Sequence, residues 1–172
     1  MIENHILPDV LAAGLRVIFC GPAPGKDSAR AKAYYANPRN RFWTVLHETD
    51  LTPIKIEPQE YNRVLDFGIG LTDLCKTASG NNNELPPHCL EEGVPDLRKK
   101  IAQYRPTFLA FTDPTAGKTY LRDRKAPLGR QGIEGGTIIY LLPSPSPRNT
   151  QWSKHRWIWQ DFSDTVRIQP GG

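Results

Sequence analysis

Two short apolar runs end abruptly in loops that neither a strand nor a helix can continue. Arg16-Val17-Ile18-Phe19-Cys20 runs into Gly21-Pro22-Ala23-Pro24-Gly25-Lys26, and Thr137 to Leu142 runs into Pro143-Ser144-Pro145-Ser146-Pro147-Arg148-Asn149. Each run has the length of a buried strand, and Gly or Pro marks where it stops. Strands of this kind belong to open parallel α/β sheets, whose ligand crevice lies outside the strand C-ends. Two such loops near opposite ends of one chain predict a single site closed from both sides.

Two further runs, Gly68–Leu74 and Thr107–Thr112, complete a set of four strands. Helical spacing lies between them. Asn40–His47 carries Phe42, Val45 and Leu46 on one face, and Glu57–Leu65 has Pro58 in its first turn. Asp96–Tyr104 aligns Leu97, Ile101 and Tyr104 and stops before Pro106; Thr115–Leu121 is shorter. Trp152–Val166 packs Trp152, Trp159, Phe162 and Val166. Strands alternating with helices predict a three-layer α/β/α sandwich around a central four-stranded parallel sheet. Residues 1–172 read as one domain without repeats or linkers. Thr77–Gly93 reads as a polar loop, Asp123–Gly136 as a basic, Gly-rich loop or hairpin, and 169–172 as a frayed tail.

The formal charge of +4 leans mildly toward a polyanionic partner. No apolar run reaches membrane-spanning length, and Met1–His5 lacks the basic and apolar regions of a secretion signal. A cytoplasmic, nucleoid-associated protein with no membrane partner is the expectation. Cys20, Cys75 and Cys89 are odd in number and lack CxxC spacing. That argues against a zinc site, a disulfide framework and an iron–sulfur cluster.

The first loop invites a phosphate-loop reading, but three residues separate Gly21 and Gly25 where four are required, and Asp27 follows Lys26. Gly117-Lys118-Thr119 has the right ending, with Thr112 where the first glycine belongs. The prolines support a different reading. Pro22 and Pro24 leave a rigid turn whose few remaining N–H groups suit the carbonyls of a flat ligand. Tyr34-Tyr35 supplies an aromatic platform in the same connection, followed by the basic and aromatic Asn37-Pro38-Arg39-Asn40-Arg41-Phe42-Trp43. Phe42 and Trp43 suit a core role.

Gly-x-x-Pro-Gly after the first strand, the Tyr-Tyr-Ala-Asn-Pro-x-Asn-Arg-Phe-Trp block and the late Leu-Pro-Ser-Pro-Ser-Pro resemble the uracil-DNA glycosylase superfamily. Its mismatch-specific (Mug/TDG) branch is the best match, over roughly Leu15 to Arg148. The resemblance implies the sandwich fold and excision of uracil or related bases from DNA by hydrolysis of the N-glycosidic bond. It implies a monomer with no metal and no organic cofactor. By position, Gly21, Pro22, Ala23, Pro24, Gly25, Lys26 and Ser28 would cradle a flipped base with Asn40, and Tyr35 would stack on it. Ser144, Pro145, Ser146, Pro147 and Asn149 would clamp phosphates, with Arg148 at or beside the wedge that fills the gap.

One departure stands out. The branch usually places an Asn, which positions the attacking water, where this chain has Ala23. Asp73, at the C-end of the second strand, is the expected replacement, as in a bacterial subgroup that the pattern resembles. Its bland alternatives are a loop cap or an ion pair with Lys76. Asp27 is the reserve and Asp113 a weaker candidate. His47 reads as structural; His5, His88 and His155 show no ligand spacing, and the second loop holds no imidazole. Two rivals remain: a nucleic-acid-binding member of the fold that has lost catalysis, and a small nucleotide-binding α/β protein.

Overall fold

The structure, a computed structural model, describes residues 4–169. Residues 1–3 of the N-terminal segment and 170–172 of the expected frayed tail lie outside the described residues. Five strands form one sheet in the order β2-β1-β3-β5-β4: β1 Val17–Gly21, β2 Ile69–Asp73, β3 Phe108–Phe111, β4 Gly129–Glu134 and β5 Thr137–Leu141. β1, β2, β3 and β5 are mutually parallel and coincide with the four predicted runs to within two residues. Every residue in these four is buried, as expected when helices cover both faces.

Alternation along β1 divides the core in two. Val17 and Phe19 face α2 (Phe42–Glu48) and α6 (Trp157–Ile168), packing with Trp43, Leu46, Trp159 and Phe162. Ile18 and Cys20 face α3 (Cys89–Tyr104) and α4 (Pro114–Leu121), packing with Leu97, Ile101, Ala116 and Tyr120. Two shorter helices complete the set, α1 (Lys26–Ala31) and α5 (Trp152–His155). The stretch read as a helix at Glu57–Leu65 forms instead, over Pro58–Phe67, a run of 3-10 turns kinked at Glu60.

Four further expectations need correction. The sheet has a fifth strand: β4 pairs antiparallel with β5 through the turn at Gly135-Gly136, whose φ values of 54° and 88° suit a tight hairpin. β4 lies at the sheet edge with no fully buried residue, so it carries no apolar pattern to find. α3 starts at Cys89 rather than Asp96, inside the stretch read as loop. Its first turn is acidic (Glu91, Glu92), which suits a helix N-terminus but masks apolar spacing. The last helix divides at Arg156 into α5 and α6.

The fourth correction concerns the cysteines. Cys75 and Cys89 form a disulfide with their Cα atoms 5.5 Å apart, leaving Cys20 free and buried. An odd count excludes only a framework that uses every cysteine. This bridge ties the end of β2 to the start of α3, where the two elements touch at backbone distance: a Cβ on Gly93 would lie 2.0 Å from the Leu74 carbonyl oxygen.

Closing a loop of this size removes about 3 kcal/mol of unfolded-chain entropy. Urea unfolding with and without reductant is therefore expected to differ by about 2–4 kcal/mol, with the difference abolished in Cys75→Ser/Cys89→Ser. Coincident curves for the wild type would mean that the bridge contributes nothing.

Candidate functional site

Parallel strands in register deliver their C-ends to one edge, and a cleft of about 1070 Å³ opens there. Both predicted loops line it: Gly21 through Pro22, Ala23, Pro24, Gly25 and Lys26 to Ser28 on one side, and Ser144, Pro145, Ser146, Pro147, Arg148 and Asn149 on the other. Tyr35, Asn40, Asp73, Asp27 and Asp113 line it as well. The structure thus brings every sequence-predicted site residue to a single cavity.

The first loop is held by its carbonyls. Leu74 N–H donates to Gly21 O (2.9 Å), Cys75 N–H to Pro22 O (2.8 Å) and Gly80 N–H to Pro24 O (2.9 Å). The prolines have no N–H, and among the described residues the amides of Ala23 and Gly25 meet no acceptor. The rigid turn therefore keeps two donors for a ligand. After Gly25 the chain enters α1, a helix where a continuing loop was expected. Lys26, expected in the pocket, makes an ion pair with Glu84.

Tyr35 is held in the left-handed region at φ 50°, an uncommon conformation for a non-glycine residue that clusters at functional sites. Its ring stacks on Phe42, centroids 3.9 Å apart and planes 21° apart, and its hydroxyl lies 2.9 Å from Thr112 Oγ1. One face of the ring is thus supported by the core while the residue borders the cleft. Burial and the nearby Asp73 carboxylate push the phenols of Tyr34 and Tyr35 well above their ordinary value, so both stay neutral. Asn40 also lines the cleft, and its Oδ1 accepts the Phe42 N–H at 2.9 Å, starting α2.

Asp73 closes β2 directly opposite Gly21. A Cβ on Gly21 would lie 2.6 Å from Asp73 Oδ1, so only glycine lets the carboxylate occupy this place. The residue is 5% exposed, and Oδ2 has no hydrogen-bond partner. Neither bland reading holds. Lys76 turns away to Asp9 (2.7 Å) and Tyr34 Oη (3.3 Å), and Asp9 also binds Lys100 (2.6 Å) and Thr72. Burial pushes Asp73 up to about 6, with the Lys76 charge the main force opposing it.

The other two carboxylates are engaged. Asp27 accepts from Asn37 Nδ2 (2.9 Å) and pairs with Arg30 in the first turns of α1. Asp113 caps α4 by accepting Thr115 N–H at 2.8 Å.

In the second loop, Ser144 Oγ accepts Ser146 N–H and Ser146 Oγ accepts Arg148 N–H, both at 3.2 Å. Each hydroxyl proton is left to donate outward. Asn149 Nδ2 donates to Ser144 O (2.9 Å), and Trp159 Nε1 anchors Pro143 O (2.8 Å). Arg148 itself is exposed at the rim.

Sequence reasoning missed Arg41, which ties the segment after Tyr35 to the second loop. Its N–H donates to Pro145 O and its guanidinium to Ser146 O, both at 2.9 Å, while it lies over the Trp152 ring. Also missed were Thr112, Lys118, His155 and a strap at Gly80–Glu84 that forms part of the cleft wall. Asn81 and Glu84 form a reciprocal capping box, and that Asn-x-x-Glu spacing was a readable signal. Among the described residues no group of three His, Cys, Asp or Glu side chains could hold a metal, and no helix is long and apolar enough to cross a membrane.

Residues 8–164 match the model of the Uracil DNA glycosylase superfamily, and the chain belongs to that superfamily. A solution NMR structure from Methanosarcina acetivorans, whose provisional name is uracil DNA glycosylase, has the same fold. It is similar at a TM-score of 0.59 and 22% identity over 94% of this chain and 96% of that one.

The raised pKa makes Asp73 a cost to the fold at neutral pH. Its contribution to stability is full below about pH 4 and falls as pH rises through about 6. Asp73→Asn, neutral throughout, is expected to be more stable than wild type by about 2–3 kcal/mol at pH 8 and to lose most of that advantage at pH 4. Urea midpoints at the two pH values test this; a less stable variant at pH 8 would show that the ionised carboxylate supports the fold.

Proposed function

We propose that this protein is a monofunctional DNA glycosylase of the mismatch-specific (Mug/TDG) type, removing uracil or related mispaired bases with Asp73 in place of the usual first-loop Asn. The observation that carries the reading is a buried carboxylate with one unpartnered oxygen, set at the strand end beside the first loop in the cleft that both loops line. Superfamily membership gives the reaction class.

The target nucleotide leaves the stack at a cost of a few kcal/mol, least for a mispaired base. Its base enters beside Tyr35, with the free amides of Ala23 and Gly25 available to its carbonyl oxygens. As the N-glycosidic bond breaks, its electron pair leaves with the base, and donors fixed in advance stabilise the resulting anion. Positive charge develops on the sugar. Asp73, ionised above pH about 6, stabilises that charge and orients the water that adds to C1′, accepting its proton. Ser144, Ser146 and Asn149 order the loop that clamps the flanking phosphates, and Arg148 at the rim fills the vacated stack.

Ala23 favours one rival, a DNA-binding member that has lost catalysis, and a single-turnover assay on a G·U duplex separates the two. Excision is expected from the wild type, with an acid limb near pH 6. Asp73→Asn is expected to lose about 10²–10⁴-fold in rate with little change in DNA binding, and Ala23→Asn to restore part of that loss in the same background. Near-normal turnover by Asp73→Asn would remove Asp73 from the chemistry.

Tyr35→Ala is expected to cost about 1–3 kcal/mol in binding lesion duplex, the worth of one base–aromatic stack. Tyr35→Phe keeps the ring on Phe42 and loses only the contact with Thr112, about 1 kcal/mol. Equal losses for the two variants in a binding titration would transfer the role from the ring face to the hydroxyl.

A further inference from the structure

We propose that the turn Arg122–Lys125, between α4 and β4, is a second contact for the DNA backbone, holding phosphates of the duplex that flanks the flipped nucleotide. The inference rests on the DNA-directed reading above and adds to it the side on which the duplex lies.

The first support is position. Arg122, Asp123, Arg124 and Lys125 are exposed, and the next three residues, Ala126, Pro127 and Leu128, line the cleft. Gly129 then pairs with Leu141, at the end of β5 that feeds the second loop. The turn therefore stands beside the loop that carries Arg148.

Charge pairing separates the two walls. On the strap side, Lys26 is paired with Glu84, and Arg30 with Asp27. Among the described residues, Lys118, Arg122, Arg124, Lys125, Arg130 and Arg148 have no carboxylate within 4.0 Å. The two neighbouring carboxylates are occupied by backbone: Asp113 by the Thr115 amide and Asp123 by the Lys125 amide at 2.9 Å. Two cations of the first wall are thus neutralised, with Arg39 left unpaired in the cleft among the described residues, whereas every cation of the turn and of the second loop on the other wall is available. A polyanion lies against the second.

The turn is also built to hold its shape. Asp123 N–H donates to Lys118 O (3.1 Å), Ala126 N–H to Asp123 O (3.3 Å) and Arg122 N–H to Thr119 O (3.2 Å), with Arg122 held at φ 56°. Such a turn presents its cations with less of the ordering cost that a floppy loop incurs. Contacts of this type add affinity and salt dependence without reading base identity.

The test uses the full chain and fluorescence-anisotropy titrations of undamaged DNA over a salt series. One duplex is shorter than a helical turn (about 10 base pairs), and one spans about two and a half turns. Each lost phosphate contact flattens the slope of log K against log[salt] by about 0.9. Arg124→Ser/Lys125→Ser is expected to flatten the slope by about 2 on the long duplex and to leave it nearly unchanged on the short one. Arg124→Lys/Lys125→Arg, which keeps both charges, is expected to retain the wild-type slope and so exposes any effect of altered turn shape. A wild-type slope for the serine variant on long DNA would overturn the proposal. Equal flattening on both lengths, or flattening on duplex RNA alone, would overturn it as well. A wild-type protein that releases no uracil from G·U duplex would refute the glycosylase reading while leaving this comparison intact.

Discussion

The pairing of β1 with β2 is the constraint on which the site depends. Register sets Gly21 opposite Asp73, and the two residues that follow Asp73 donate their amides to the carbonyls of Gly21 and Pro22. A shift by one residue would turn Asp73 to the other face of the sheet and separate it from the loop it serves. The missing side chain at Gly21 is what admits the carboxylate, because a methyl group would lie 2.6 Å from its oxygen. Thr112, one residue beyond β3, completes the arrangement by holding the Tyr35 hydroxyl and donating its own N–H to Cys20 O (3.0 Å). Three adjacent strand ends thus fix the carboxylate, the rigid loop and the aromatic ring relative to one another.

The second loop reaches the same place by a separate weld. Arg41 precedes α2, yet its backbone and guanidinium bind Pro145 and Ser146 more than a hundred positions away. Phe42, the next residue, supports the Tyr35 ring. A short stretch of chain therefore sets the spacing between the two walls and the orientation of the ring between them. Trp159 extends the weld into the core by holding Pro143 while stacking near Phe19 of β1.

The legible parts of this molecule are those whose signal is local. β1 and β5 announce themselves as apolar runs cut off by Gly and Pro, and Asp73 stands at the end of another short run that reads as a strand. What stayed hidden depends on partners distant in sequence. β4 forms because β5 offers an edge, so its own residues carry no apolar face; only Gly135-Gly136 hinted at it. The Cys75–Cys89 bridge depends on Gly93 admitting α3 against Leu74, which cysteine counting cannot see. Arg41 looks like one basic residue among several until the second loop is placed beside it.

The buried ion pairs under the site explain how an ionisable group can be kept there at all. Taking a carboxylate out of water favours its neutral form. Asp9 shows the compensated case: burial alone would raise its pKa, but Lys76 and Lys100 outweigh that and hold it below its ordinary value. Asp73 lies on the same strand end with Lys76 close enough to matter but bonded elsewhere, so its compensation is only partial and its pKa rests at about 6. A direct ion pair with Lys76 would ionise Asp73 more fully, but it would occupy the oxygen that now has no partner and neutralise the charge that the proposed reaction uses at the sugar. Diverting Lys76 to Asp9 leaves Asp73 mostly ionised near neutrality and still unquenched. In the proposed mechanism the apolar side chain at Ala23 fits this arrangement, because a carboxylate on the neighbouring strand can supply both the charge and the water-orienting oxygen.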